Sequence, residues 1–324
     1  MEDEAPVRRI AGRTRGPEYL GCVARDAGAT GDATPRKSKG RAAPSGSVGR
    51  YWLGCSGWAY ADWVGPFYAR GTPPAEFLPS YARVFRTVEV DSSFYRPPAP
   101  SLVRRWASVA PSGFRFSLKV PREVTHVGAS EEEPEGLLAE FLATLRPLRS
   151  SDRLGAVVLQ FPGSFRVGAT DRLAALLERI PREFPLAVEL RHGSWWTEAT
   201  RALLERRGAA LVWSVVPHTQ PPPWVTADFL YTRFVGDRAL SEFGRVQRDG
   251  TQDLDRMRRL WDEEGRLATT VYAYANNHFM GFGPGTVEAL ARGLGEPPVD
   301  LSAAARPRGQ TSLTGDRASF RRGD

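Results

Sequence analysis

The sequence predicts an α/β chain closed into a single (β/α)8 TIM-like barrel. Short runs of β-branched and aromatic residues alternate with helical patterns, as in parallel βα units. Eight such units fall within about 250 residues, the length of one barrel. Polar side chains recur at the C-terminal ends of the runs, where barrels of this kind build their active sites.

Strands are expected over 51–55, 87–91, 114–120, 156–161, 186–191, 210–215, 229–234 and 269–275. Helical patterns fill 74–83, 101–109, 135–145, 170–179, 197–207 and 252–264, and a last one, 286–293, follows the eighth strand. The link 217–228 is rich in proline and shows no helical period, so the sixth unit is expected to be irregular.

Strand periodicity says which side chains enter the barrel. In Val88-Glu89-Val90-Asp91 the apolar positions face the helices, which turns Glu89 and Asp91 to the axis. Ser117 and Lys119 point inward by the same alternation, as do Glu189 and Arg191, and Tyr231 and Arg233. Three acids and three bases thus gather at one end of the barrel. A closed ion-pair network is one reading of them. Buried charge is a poor source of stability beside an apolar core, which favours a ligand or a reaction.

The net charge of +7 suggests a nucleic-acid partner until it is divided along the chain. Between residues 51 and 300 there are 29 basic and 29 acidic side chains, so the excess belongs to the tails. Residues 1–48 are expected to be a disordered basic extension, 49–300 the single barrel domain and 301–324 a disordered tail. Cys22 and Cys55 offer no disulfide framework and no metal-type spacing, and no apolar run reaches membrane-span length, so a cytoplasmic location is expected, with no membrane partner.

Only three of the 44 basic residues are lysines, and Lys119 alone lies in the expected domain. A bias that puts arginine wherever a generic cation will do singles Lys119 out for something arginine does not do: a base, a Schiff-base nucleophile or a compact anion holder. Asn276 and Asn277, adjacent at the end of the eighth strand, are the only asparagines.

Six ordered motifs carry a resemblance: Gly54-Cys-Ser-Gly-Trp-Ala-Tyr-Ala-Asp-Trp63, Val88-Glu-Val-Asp-Ser-Ser-Phe-Tyr95, Phe114 to His126, Leu159-Gln-Phe-Pro162, Val188 to Trp195 and Asn276-Asn-His278. Together they resemble the YecE-like family of domain-of-unknown-function proteins, from Tyr51 to about Leu294. The resemblance implies a TIM barrel related in shape to endonuclease IV and the sugar isomerases, and it brings no reaction with it. It departs at one place: many members carry a histidine before the glycine that closes strand seven, where this chain has Val235 before Gly236.

The candidate catalytic residues are Glu89, Lys119 and Glu189, with the two carboxylates flanking a substrate as acid and base. Candidate substrate contacts are Ser56, Trp58, Asp91, Tyr95, Gln160, Arg191, Trp195, Arg233, Asn276 and Asn277. Arginine grips phosphate or carboxylate bidentately, and aromatic faces stack on sugars or bases. The glycine-rich stretch Gly281-Phe-Gly-Pro-Gly285 ahead of a helix offers backbone amides to phosphate. No cofactor is required by the sequence. His126, His192 and His278 are weak metal candidates, too few for a trinuclear zinc site but compatible with a single divalent ion held with acids. The leading expectation is an enzyme for a small anionic, phosphorylated or sugar-like ligand. A nucleic-acid-processing or nucleic-acid-binding barrel and a non-catalytic ligand sensor are the alternatives.

Overall fold

The computed structural model describes residues 50–126, 136–217 and 219–306. Its centre is a closed ring of eight parallel strands: β1 (Tyr51–Ser56), β2 (Thr87–Val90), β3 (Arg115–Lys119), β4 (Leu154–Gln160), β5 (Leu186–Glu189), β6 (Ala209–Val215), β7 (Phe229–Phe234) and β8 (Thr270–Ala275). They pair in chain order, and β8 closes on β1 from Tyr51↔Val271 to Cys55↔Ala275. All eight expected strands are present, with ends within two residues of the expected ones.

Around the ring run α1 (Pro74–Tyr81), α2 (Pro100–Val109), α3 (Arg122–Thr125), α4 (Leu137–Ser150), α5 (Thr170–Arg179), α6 (Glu198–Arg207), α7 (Thr251–Glu263), α8 (Asn277–Met280) and α9 (Gly283–Gly293). As expected, none of the described residues between β6 and β7 is helical. Leu173, Leu176 and Leu177 on α5 recur at the three- and four-residue spacing of a helix face and are buried, as are Leu254, Met257 and Trp261 on α7. Two prolines start helices at positions that need no backbone N–H, Pro74 and Pro100.

The strands divide their side chains between two cores. Outward-facing Phe116, Leu118, Val157, Leu159 and Val188 pack beneath the helices. The barrel interior is filled unevenly: Tyr231, Tyr272 and Tyr274 from β7 and β8 reach across to Ala156, Val158, Ala187 and Ala210 on β4 to β6. Large rings on one side match small residues on the other, which keeps the interior packed. Tyr274 satisfies its hydroxyl with Thr87 Oγ1 at 2.7 Å and Ser117 Oγ at 2.8 Å.

Two glycines hold the ring and its rim together. A Cβ on Gly54 would stand 2.1 Å from the Thr87 carbonyl oxygen, so β1 approaches β2 this closely only as glycine. Gly236, at φ +77°, turns the chain out of β7 against α8, where a Cβ would lie 2.3 Å from His278 O.

The fold runs past the expected boundary at residue 300. Leu301–Ala305 forms a 3-10 turn with Ala304 buried, and Arg83 ties it to the body through the Ala303 and Ala304 carbonyls at 3.0 and 2.9 Å. The rest of the expected tail and the extension 1–48, Cys22 included, lie outside the described residues. Among the described residues no helix is long and apolar enough to cross a membrane.

Candidate active site at the barrel mouth

Register sets the top layer of the barrel. Ser56 pairs with Glu89 and Glu89 with Ser117, Gln160 pairs with Glu189, and Arg233 lies level with Ser214 and Tyr274. Arg233 sits at the hub. Its guanidinium takes Glu89 with Nε at 2.9 Å from Oε2 and Nη2 at 2.9 Å from Oε1, while Nη1 meets Glu189 Oε2 and donates to Gln160 Oε1 at 3.1 Å. Glu89 also accepts from Tyr231 OH at 2.8 Å and Ser56 Oγ at 2.9 Å. Arg191 completes Glu189 through Nη2 at 2.6 Å from Oε1. Lys119 Nζ pairs closely with Asp91 Oδ1 and stands 3.6 Å from Glu89 Oε1. The six charges expected from alternation are therefore one connected network.

Above this network opens a cavity of about 350 Å³. Lys119, Arg191, Arg233 and Arg238 reach it against one carboxylate, Asp91. Gln160, Asn276, Asn277 and His278 add polar groups, and Tyr60, Phe94, Tyr95 and Phe243 form its apolar faces. Glu89 and Glu189 do not line it. They are fully buried beneath it.

Burial alone would raise both carboxyls. For Glu89 the charges of Arg233 and Lys119, with the hydrogen bonds from Tyr231 and Arg233, outweigh burial and hold the pKa at about 2. Glu189 is lowered too, against burial, by Arg233 and Arg191. In return Arg233 is raised well above its ordinary value despite burial, chiefly by Glu189 and Glu89. Both glutamates are thus carboxylates at neutral pH, with no proton to give. They hold Arg233 between them.

The family described as Protein of unknown function DUF72 matches residues 52–311. The chain belongs to the DUF72 family. It is similar to the UPF0759 protein YecE of Escherichia coli K12, 31% identical over 157 residues, 48% of this chain and 54% of that protein. It is 26% identical to the UPF0759 protein YunF of Bacillus subtilis over 166 residues, 48% of this chain and 57% of that one. The chain spans about half the length of the curated relatives it matches. Among solved structures, a DUF72 protein of Thermotoga maritima superposes with a TM-score of 0.67 at 28% identity, over 76% of this chain and 100% of that one. One from Enterococcus faecalis gives 0.64 at 23%, over 81% and 100%. The YecE-like resemblance and the barrel both stand.

In this DUF72 chain several expected contacts lie elsewhere. Trp58 meets Trp106 of α2 edge-on at 5.5 Å and Phe116 of β3 at 6.4 Å, so it packs under the helix layer. Trp195 is fully buried, stacked on Phe165 at 5.0 Å with its indole N–H donated to Phe165 O. Ser56 belongs to the floor through Glu89 and is absent from the cavity lining. Gly283 and Gly285 open α9 inside the core, and Gly283 N donates to Asn277 Oδ1 at 2.8 Å, so that stretch is no phosphate loop.

The three histidines do not converge. His126 Nδ1 pairs with Thr125 and its ring abuts Phe94, and burial with the nearby Arg122 and Arg191 lowers its pKa. His192 Nδ1 accepts from Ser194 N at 3.1 Å and caps its own loop. His278 alone of the three lines the cavity. Among the described residues no group of three or more His, Cys, Asp or Glu side chains is disposed to hold a metal ion. Val235 lines the cavity where the resemblance implied histidine, giving the wall an apolar patch.

Sequence reasoning missed Tyr60, Arg238 and Phe243. They sit on loops after β1 and β7 that meet over the mouth, where Phe243 N donates to Asp62 Oδ2 at 2.8 Å. No periodicity marks such residues. A larger groove of about 840 Å³ lies between α2 and α4, lined by Pro97, Pro98, Leu102, Trp106 and Phe141. Its walls are mostly apolar, with Arg96 and Glu140 their charged groups, whereas the mouth gathers five charged side chains, so the mouth is the better candidate.

Proposed function

We propose that the chain is a barrel enzyme that acts on a small anionic, phosphorylated or sugar-like substrate at the C-terminal strand ends. The observation that carries this is the cavity rim, where four cationic side chains meet one carboxylate, so that with the two glutamates beneath the cluster holds four cations to three acids. Arg191 and Arg238 offer guanidinium forks to the anion. Lys119 and Asp91, paired at the cavity wall, form the proton-transfer pair of this reading, with Lys119 the donor to a developing oxyanion and Asp91 the acceptor. Glu89 and Glu189 act by positioning Arg233 and Lys119. Isomerase, lyase and hydrolase reactions all use such a pair.

A turnover screen with phosphorylated and carboxylated sugars separates these reactions. It is run on the wild-type chain and on Lys119→Met and Arg191→Met. Turnover lost in both variants supports the reading, and turnover retained in both overturns it. A ligand that binds tightly and is never converted makes the chain a sensor. Nucleic-acid binding draws less support, because the body carries balanced charge and a cavity of about 350 Å³ suits a small molecule.

A further inference from the structure

Three neighbouring strands bring three held donors to one stretch of the cavity wall. Lys119 ends β3, Gln160 ends β4 and Arg191 follows β5, and all three line the cavity. Adjacent strands lie about 5 Å apart, so these side chains stand next to one another. Register orders them as a rising series. Lys119 is level with Val158, Gln160 lies two residues further up β4 and level with Glu189, and Arg191 is two residues beyond Glu189.

Each is fixed from below, and Gln160 is the informative one. Arg233 Nη1, which can only donate, points at one atom of its amide at 3.1 Å, so that atom is the oxygen. The other atom, Nε2, is then an NH2 group. It has no partner among the described residues, and it is not one of the unpaired side-chain atoms sealed from solvent, so it opens to the cavity that Gln160 lines. Arg191 spends Nε at 2.7 Å and Nη2 at 2.6 Å on one oxygen of Glu189, which leaves Nη1 over on the same terms. Lys119 is held by Asp91 and lies 3.6 Å from Glu89. Donors held in this way lose little freedom when an acceptor arrives.

The opposite side of the mouth is less prepared. Barrels often bind phosphate after strands seven and eight. Here Arg233 of β7 already serves Glu89, Glu189 and Gln160, while Val235 is apolar and Asn276 neutral. Arg238 is exposed, and among the described residues no hydrogen bond or ion pair holds its side chain. Ordering so long a side chain on a ligand costs it rotamer freedom.

Resting on the anion-site reading above, we infer that the oxyanion head group of the ligand seats on β3 to β5, and that Gln160 donates to it between Lys119 and Arg191. Gln160 makes the seat selective for acceptor oxygens, because its own oxygen is tied to Arg233 and offers nothing to a ligand N–H. Arg238 draws the anion in from solvent and does not define the seat.

The test is calorimetric titration of the full chain with an aldopentose 5-phosphate and with pentyl phosphate, at low and at high salt. The wild type is expected to bind both. Gln160→Met removes the donor and should weaken both by about tenfold at either salt, the effect of one hydrogen bond to a charged group. Gln160→Glu keeps the oxygen that Arg233 needs and turns a repelling charge to the ligand, so it should weaken them further. Arg238→Met should weaken binding at low salt and leave it within about twofold at high salt, as for a screened, exposed cation. Melting temperatures report whether each variant folds, and the Arg238→Met arm needs neither Gln160 variant. Unchanged affinity in a folded Gln160 variant overturns the inference and leaves the anion site standing. So does a loss confined to the sugar phosphate, a wild type that binds the sugar phosphate but not pentyl phosphate, or an Arg238→Met loss of about tenfold that persists at high salt. If neither compound binds the wild type, the anion site falls and the inference with it.

Discussion

Arg233 and Glu89 form a two-pronged ion pair across the barrel, β7 to β2, with Nε and Nη2 each 2.9 Å from a carboxylate oxygen. Neither side chain has appreciable contact with solvent. Because the same guanidinium also meets Glu189, one residue bridges two buried acids, and Lys119 and Arg191 complete the pairing.

Replacing Arg233 by methionine leaves both acids without their main counter-charge. Breaking such a buried pair from one side costs about 3–5 kcal/mol, and chemical denaturation should show a loss of that order. Arg233→Lys should not restore it, because a single ammonium does not bridge two carboxylates in fork geometry. Full stability in Arg233→Lys would contradict the hub assignment.

Glu89 makes stability depend on acid. Its folded pKa is depressed from 4.5 to about 2, so its contribution is complete above about pH 4.5 and is lost as the pH falls through about 2. The shift corresponds to about 3 kcal/mol between those limits. Glu189, also lowered, adds to the same trend. Unfolding curves between pH 7 and pH 2 should therefore steepen below pH 4.5 in the wild type and flatten in Glu89→Gln at the acid end. The same slope in both would locate the acid sensitivity elsewhere.

Lys119→Arg keeps the charge but replaces a compact ammonium by a longer planar group in a tight pocket beside Asp91 and Glu89. The melting temperature should move by a few degrees at most, while affinity for a sugar phosphate falls by about tenfold or more. Unchanged affinity would show that a generic cation suffices there.

Arg191→Met should weaken anion binding without a large loss of stability, since its partner Glu189 keeps Arg233. The remaining affinity should also depend less on salt, as one partly exposed cation has gone. Titrations at two ionic strengths read both effects.

The barrel and its floor were legible because strands alternate. Glu89, Lys119, Glu189 and Arg233 fell to the inside by period two, and barrel closure brought Asn276 to the same mouth. Beyond the strand ends the rule lapses. Trp58 stands two residues after β1 and Trp195 in a 3-10 turn after β5, and each buries its ring outward against a helix-side partner. Tyr60, Arg238 and Phe243 were invisible for the converse reason, since contacts distant in sequence bring their loops over the cavity. Alternation also gave direction without depth. It turned Glu89 and Glu189 toward the axis but did not show that they lie under the cavity, bridged by Arg233.

The rim above Arg233 is expected to receive an anion, and a crystal structure of the full chain grown with an aldopentose phosphate tests this. The phosphate is expected within about 3 Å, hydrogen-bond distance, of the Arg191 or Arg238 guanidinium. A phosphate bound on the helix side, or a mouth that stays free of it at saturating ligand, would contradict an anion site there.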